Sequence, residues 1–260
     1  FRHSQSKGGY PIDFVMEFFS KTFPEAVFLL IGEAPADNRT TAASSEKFRL
    51  PPRNRYIERA MVYLRQRKIP EELIQEFYRE GLIYEDAQRH NVVFVGKDES
   101  GIPRYAHCKG TEDTFRMDVL GSDKAHNFVY RSDRKSLFVF EAPIDLMSFI
   151  ALYPKNWKTR NYLSLGGIGA KSLEGFLSER SNMETIYICT DADKAGNDAV
   201  GRLLESIPEQ MTVIRLMPCA KDWNEVLMHK EELPHGKYIE ETMELRIKPE
   251  KKAVPMIRMS

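Results

Sequence analysis

The sequence predicts an α/β fold, a parallel sheet with helices between its strands, preceded by a smaller α+β unit. Three observations predict it. Apolar, β-branched and aromatic runs at 136–140, 185–188 and 213–217 are each about five residues long and read as buried parallel strands. Helical patterns separate them, as in βαβ units. Each run is followed by acidic residues, and in such sheets a site lies outside the carboxyl ends of the strands.

The acidic residues come in three groups. Glu141 and Asp145 follow the first run, Asp191 and Asp193 the second, and Asp222 with Asn224 the third. Capping of a helix dipole accounts for one carboxylate per helix. It does not account for carboxylates at the equivalent end of several strands. Converging carboxylates repel unless protonated or bridged by a cation, and hard oxygen ligands suit Mg²⁺. Glu141, Asp191 and Asp193 are therefore expected to converge. Gly166, Gly167 and Gly169 follow the strand expected at 161–165 and precede a helix, where backbone can approach an anion at a helix amino terminus. Lys171, Lys194 and Lys221 are candidate phosphate contacts, or balance neighbouring carboxylates. Trp223 reads as packed core.

The motifs Glu141-Ala142-Pro143-Ile144-Asp145, Leu165-Gly166-Gly167-Ile168-Gly169, Asp191-Ala192-Asp193-Lys194-Ala195-Gly196 and Lys221-Asp222-Trp223-Asn224, in that order, resemble a TOPRIM domain. This is the metal-binding module of bacterial primases, type IA and type II topoisomerases and some nucleases. The resemblance implies a Rossmann-like parallel sheet and Mg²⁺ or Mn²⁺ as cofactor. It implies Glu141 as general acid/base or metal ligand, Asp191 and Asp193 as catalytic metal ligands, and Asp145, Asp222 and Asn224 as further metal positions. Primases more often carry two aspartates in the last motif, so Asn224 would hold a second metal more weakly.

Composition narrows the function further. Lys+Arg and Asp+Glu are both 38, so the chain is no generic polycation, and nucleic-acid affinity must come from uneven charge. Cys108, Cys189 and Cys219 are far apart, which argues against a disulfide framework or a zinc site and fits a reducing cytoplasm. The longest apolar stretch, 26–31, is far too short to span a membrane. The chain starts at Phe1 rather than Met, so an upstream segment is expected.

Along the chain, residues 1–34 combine a Gly8-Gly9 turn with two short helices and resemble the tail of the zinc finger that opens bacterial primases. Its ligands are absent, His3 is the one candidate, and no zinc is expected. Residues 35–52 read as a linker. Residues 53–132 read as the α+β unit, with a helical pair and then strands at 92–95, 104–107, 115–119 and 127–130. They resemble an uncharacterised domain that precedes TOPRIM modules on bacterial plasmids and conjugative elements. The first helix is basic, and Arg55 and Arg59 are its candidate phosphate-backbone contacts. The TOPRIM domain is expected at 133–234. A tail at 235–260 holds a helix or edge strand over 240–247 and then basic residues 248–252.

The functional expectation is a Mg²⁺-dependent, primase-like nucleotidyl or phosphoryl transfer on DNA, single-stranded DNA included, with nucleotides as substrates. Replication or conjugation proteins of a mobile element are the expected partners, in the cytoplasm and without a membrane. A TOPRIM nuclease, or a non-catalytic DNA-binding TOPRIM module, is the alternative.

Overall fold

The computed structural model describes residues 15, 16, 19, 25, 26, 29, 30, 47–167, 169–234 and 236–247. The expected finger-like turn, His3, most of the linker and the basic residues 248–252 lie outside the described residues. Residues 1–46 and 47–260 are two compact units. In the first, residues 15–16, 25–26 and 29–30 are helical, and Val15 and Ala26 are buried.

The second unit opens with α1 (Glu58–Gln66) and α2 (Glu71–Arg79). An antiparallel sheet follows, in the order β1 (Ile83–Glu85), β2 (Val92–Lys97), β3 (Pro103–Lys109), β4 (Arg116–Asp118). Its β2–β3 turn is built by Asp98, whose Oδ1 accepts from Ser100 N and Ile102 N at 3.0 and 2.9 Å. No side chain of its own caps α1. Glu85 from β1 does so instead, accepting Ala60 N at 3.0 Å.

The larger sheet has six strands in the order β10-β9-β8-β6-β7-β5. Its parallel centre is β9 (Thr212–Pro218), β8 (Thr185–Ile188), β6 (Ser136–Phe140) and β7 (Asn161–Ser164). The edges β5 (Val129–Tyr130) and β10 (Ile239–Arg246) are antiparallel to β7 and β9. The strand expected at 127–130 thus joins this sheet rather than the first one. The tail segment is the edge strand, not the helix: β9 offers it an open row of backbone donors and acceptors.

Alternation along β6 fixes what each face meets. Leu137 and Val139 pack with Leu173, Phe176 and Leu177 of α4 (Lys171–Glu179) and Val200 and Leu203 of α5 (Lys194–Ser206). Phe138 and Phe140 face α3 (Pro143–Leu152) and α6 (Trp223–Met228). The latter cluster continues through Phe128 into Phe94, Phe77 and Ile74, so one apolar core joins the two sheets. Truncating a side chain as buried as Phe140 costs about 3–5 kcal/mol. Among the described residues, no helix is long and apolar enough to cross a membrane.

Candidate active site

Parallel strands end on the same side, so four loops meet at the carboxyl edge of the sheet. Glu141 directly follows β6, and Gly166 and Gly167 come just after β7. Asp191 and Asp193 come after β8, and Asp222 after β9. The loops are tied by backbone. Ala192 N donates to Lys221 O at 2.8 Å, Trp223 Nε1 to Cys189 O at 2.9 Å, and Gly167 N to Glu141 O at 3.1 Å. Trp223 is fully buried, as the sequence led one to expect.

Glu141 and Asp191 touch: Glu141 Oε1 accepts Asp191 N at 3.1 Å. Gly196 makes room for this contact, because a Cβ there would stand 2.2 Å from Asp191 O and 2.8 Å from Glu141 Oε1. Behind them lies Arg215 of β9, buried, its Nη2 donating to Asp191 O at 3.3 Å. Burial, and then the charges of Glu141, Asp222 and Asp193, push the Asp191 carboxyl up to about 7. Burial also raises Glu141, against the Asp191 N–H that stabilises its charge. Asp145 is raised well above the carboxylate range by burial first and by Asp191 and Asp222 next. The acidic residues therefore share one electrostatic neighbourhood.

Asp193 and Asp222, however, turn to cap helices. Asp193 Oδ1 accepts Gly196 N at 2.9 Å, and Asp222 Oδ1 accepts Glu225 N at 2.7 Å. Each satisfies an amino-terminal donor that would otherwise lack a partner. Asp145 Oδ1 takes Asn224 N at 3.1 Å. Among the described residues, no three His, Cys, Asp or Glu side chains are gathered closely enough to hold a metal ion. The expected convergence of Glu141, Asp191 and Asp193 is a contact of the first two, with Asp193 held beside them by its cap. Asp191 Oδ1 is buried without a hydrogen-bond partner, an acceptor to which a cation at this site would be fitted.

Asn224 is placed differently from the other expected metal positions. It is buried, its Oδ1 accepts Arg67 Nη1 at 3.2 Å, and its Nδ2 donates to Arg67 O and Ser148 Oγ at 2.9 and 3.0 Å. Both ends of the amide are used in tying the chain just after α1 to α6 and α3.

A cleft of about 570 Å³ lies beside the Glu141–Asp191 contact. Of the residues singled out in the sequence, Glu141, Asp191, Gly166 and Gly167 line it. Gly166 has a positive φ of 65°, and a Cβ there would meet Asn127 Nδ2 at 2.2 Å. The Gly167 N–H is bonded to Glu141 O, so the glycine loop braces Glu141. Lys194 pairs with Asp198 on the surface, and Lys171 stands 3.9 Å from Asp123. Lys221 is exposed. Arg59 pairs with Glu112, and Arg55 lies over Tyr56.

The facing wall was not legible in the sequence. It is built by His107, Lys109, Arg116 and Asp118 of β3 and β4. Register sets Lys109 directly opposite Arg116, and His107 opposite Asp118. Lys109 is lowered by burial and by the neighbouring Arg67 and Arg116 cations. Among the described residues, Lys109 and Arg116 form no salt bridge. Like charges facing across a strand pair oppose folding, and only the pairing register brings these two together.

Site and fold define the class: the chain carries a Toprim-like domain in a primase-like fold. Residues 138–227 match the family described as Toprim-like, and residues 62–135 a protein of unknown function family, DUF3991. Over 232 residues the chain is 28% identical to an uncharacterized protein, pXO2-78, of Bacillus anthracis, covering 78% of this chain and 64% of that one. It is 26% identical to a 65 kDa protein of Zymomonas mobilis over 62% of this chain and 30% of that one. The chain thus spans less than two thirds of either relative. In fold it is similar to the primase fragment of the bacteriophage T7 primase-helicase protein, with a TM-score of 0.53 at 20% identity over 65% of this chain and 70% of that one. A structure of bacteriophage T7 lagging-strand DNA polymerase interacting with primase domains also matches, with a TM-score of 0.53 at 21% identity over 65% of this chain and 85% of that one.

Proposed function

We propose that this chain catalyses Mg²⁺- or Mn²⁺-dependent nucleotidyl transfer on DNA, as a primase does, in the replication or transfer of a mobile element. One observation carries the reading: the Glu141–Asp191 contact opens onto a cleft whose other wall bears Lys109 and Arg116, cations that form no salt bridge among the described residues. An acidic floor for a metal ion facing a basic wall for phosphates suits a polyanionic substrate.

Asp191 and Glu141 would hold the ion, with Asp193 and Asp222 in reserve if their caps open. When bound, a divalent cation supplies the positive charge that phosphoryl transfer needs at the attacked phosphate. Glu141 keeps Oε1 on the Asp191 N–H and has Oε2 for the proton of the attacking hydroxyl. Burial raises its carboxyl above the ordinary value, which suits a group that accepts and returns a proton. Asp145, which burial raises well above its ordinary value, holds α6 through Asn224 N. Lys109 and Arg116 would position the phosphates of template or nucleotide. Replication or conjugation proteins are the partners this activity would need, in the cytoplasm. The match to a protein of the Bacillus anthracis plasmid pXO2 supports the mobile-element setting.

The test is primer synthesis on single-stranded DNA with nucleotides and Mg²⁺ or Mn²⁺. Product is expected from the wild type and is expected to fall at least about 100-fold in Asp191→Ala and Glu141→Gln. Strand nicking in place of synthesis, lost in the same variants, would replace priming by a nuclease. DNA binding unchanged by chelation, with no turnover under any metal, would leave a binding module.

A further inference from the structure

His107 sits in the cleft wall with one nitrogen committed and one available. Its Nδ1 lies 2.9 Å from Asp118 Oδ1, across the β3–β4 pair, and its side chain is 21% exposed. Asp118 is well anchored. Tyr105 OH, fully buried, donates to the same oxygen at 2.6 Å, and Lys124 Nζ stands 3.3 Å from Oδ2. Burial pushes Asp118 up, but the hydrogen bonds from Tyr105, His107 and Lys124 outweigh it and keep the carboxyl ionised. An ionised acceptor holds the imidazole proton on Nδ1. Nε2 is then the nitrogen left to meet a ligand. In neutral histidine it can only accept, and in the imidazolium it donates.

We propose that His107 is a phosphodiester-contacting residue of this cleft. Nε2–H of the imidazolium donates to a phosphate oxygen beside Lys109 and Arg116, and loss of that proton withdraws both donor and charge. The inference rests on the reading that the cleft takes a nucleic-acid strand. Other titratable and charged groups line the same space, Tyr105 and Lys109 on β3, Asp118 and Arg116 on β4, and Glu141 and Asp191 opposite, while Lys124 of the 3₁₀ turn after β4 stands on Asp118. Glu141 and Asp191 repel DNA from the opposite wall, so weakened binding in one variant alone does not identify His107. Comparison of a permanently charged with a permanently neutral side chain at this position does.

The experiment measures binding of a rhodamine-labelled dT12 oligonucleotide by anisotropy, in EDTA, at pH 6.0 and over a series of salt concentrations. Without metal or nucleotide the assay is blind to turnover. Wild type, His107→Arg and His107→Gln are compared in the full chain. His107→Gln should bind about tenfold more weakly than the wild type and reduce the slope of log K against log salt by about 0.7, and His107→Arg should restore both. A structural role would not be restored by the cation of His107→Arg. Wild type and His107→Gln binding equally, or His107→Arg binding no better than His107→Gln, would overturn the inference and leave the proposed reaction untouched. The expected pattern in a chain that never joins nucleotides would keep the inference while removing the priming.

Discussion

Glu141 and Asp191 lie 50 residues apart in sequence, yet the carboxylate of one accepts the backbone N–H of the other at 3.1 Å. The contact exists because β6 and β8 are parallel neighbours, with Val139 beside Ile188. It puts two negative side chains into a half-buried space with Arg215 behind them, and protonation of Asp191 is part of how the metal-free protein tolerates this.

Stability without metal should therefore fall as pH rises. Folded Asp191 holds its proton up to about 7, whereas an unfolded aspartate releases it near about 3.9. Below the unfolded value both states are protonated and nothing is lost. Between the two values the folded state binds more protons, so unfolding becomes easier until the curve flattens above the folded value. Glu141 and Asp145 are shifted the same way and add to the slope. Urea unfolding in EDTA should show a stability lower by about 1–2 kcal/mol at pH 8 than at pH 5, after allowance for solvent screening. Asp191→Asn should flatten the slope, and saturating Mg²⁺ should offset it. An unchanged slope in Asp191→Asn would show that Asp191 is ionised throughout.

Gly196→Ala should break the Glu141–Asp191 contact from behind. The new methyl would press on the Asp191 carbonyl and on Glu141 Oε1, and backbone has to move, at about 1–3 kcal/mol. Gly201 lies in the same helix with nothing within 4 Å of an added Cβ. Gly201→Ala should instead stabilise by roughly 0.5–1 kcal/mol. Thermal unfolding of the two variants, with Mn²⁺ titration of each, checks the contrast. Equal effects would mean that the space at Gly196 does not matter.

Asn224→Ala should cost stability and spare the metal. It removes the hydrogen bonds to Arg67 and Ser148 in a buried place, worth about 2–3 kcal/mol together. Calorimetry with Mn²⁺ should find the same stoichiometry, and an affinity within about twofold, which at roughly 0.4 kcal/mol is far below a lost ligand. Loss of a bound ion would restore Asn224 as a ligand.

Lys109→Met should move stability and DNA affinity in opposite directions. Removing one of two facing cations relieves repulsion, for a gain of about 0.5 kcal/mol. The same change should weaken single-stranded DNA binding and reduce the slope of log K against log salt by about 0.7. Affinity and slope both unchanged would place the strand elsewhere.

Much of this was written in local pattern. The β-branched runs, the acid after each and Pro143 at the start of α3 are set by near neighbours, so periodicity and spacing disclose them, whereas the turn of Asp193 and Asp222 to cap their helices was not expected. The antiparallel edges were less legible, since β5 has only Val129 and Tyr130, too short for a period to register.

What the sequence determined by itself is the alternation that buries β6 on both faces and the placing of Glu141, Asp191 and Asp222 beyond strand ends, because these follow from backbone geometry over a few residues. Tertiary structure alone decided that Asn224 grips Arg67 from 157 positions away, and that Lys109, Arg116 and His107 stand across a cleft from the acids. Pairing register and the joining of two sheets through one core act over distances the chain does not encode locally, and they chose which charges became neighbours.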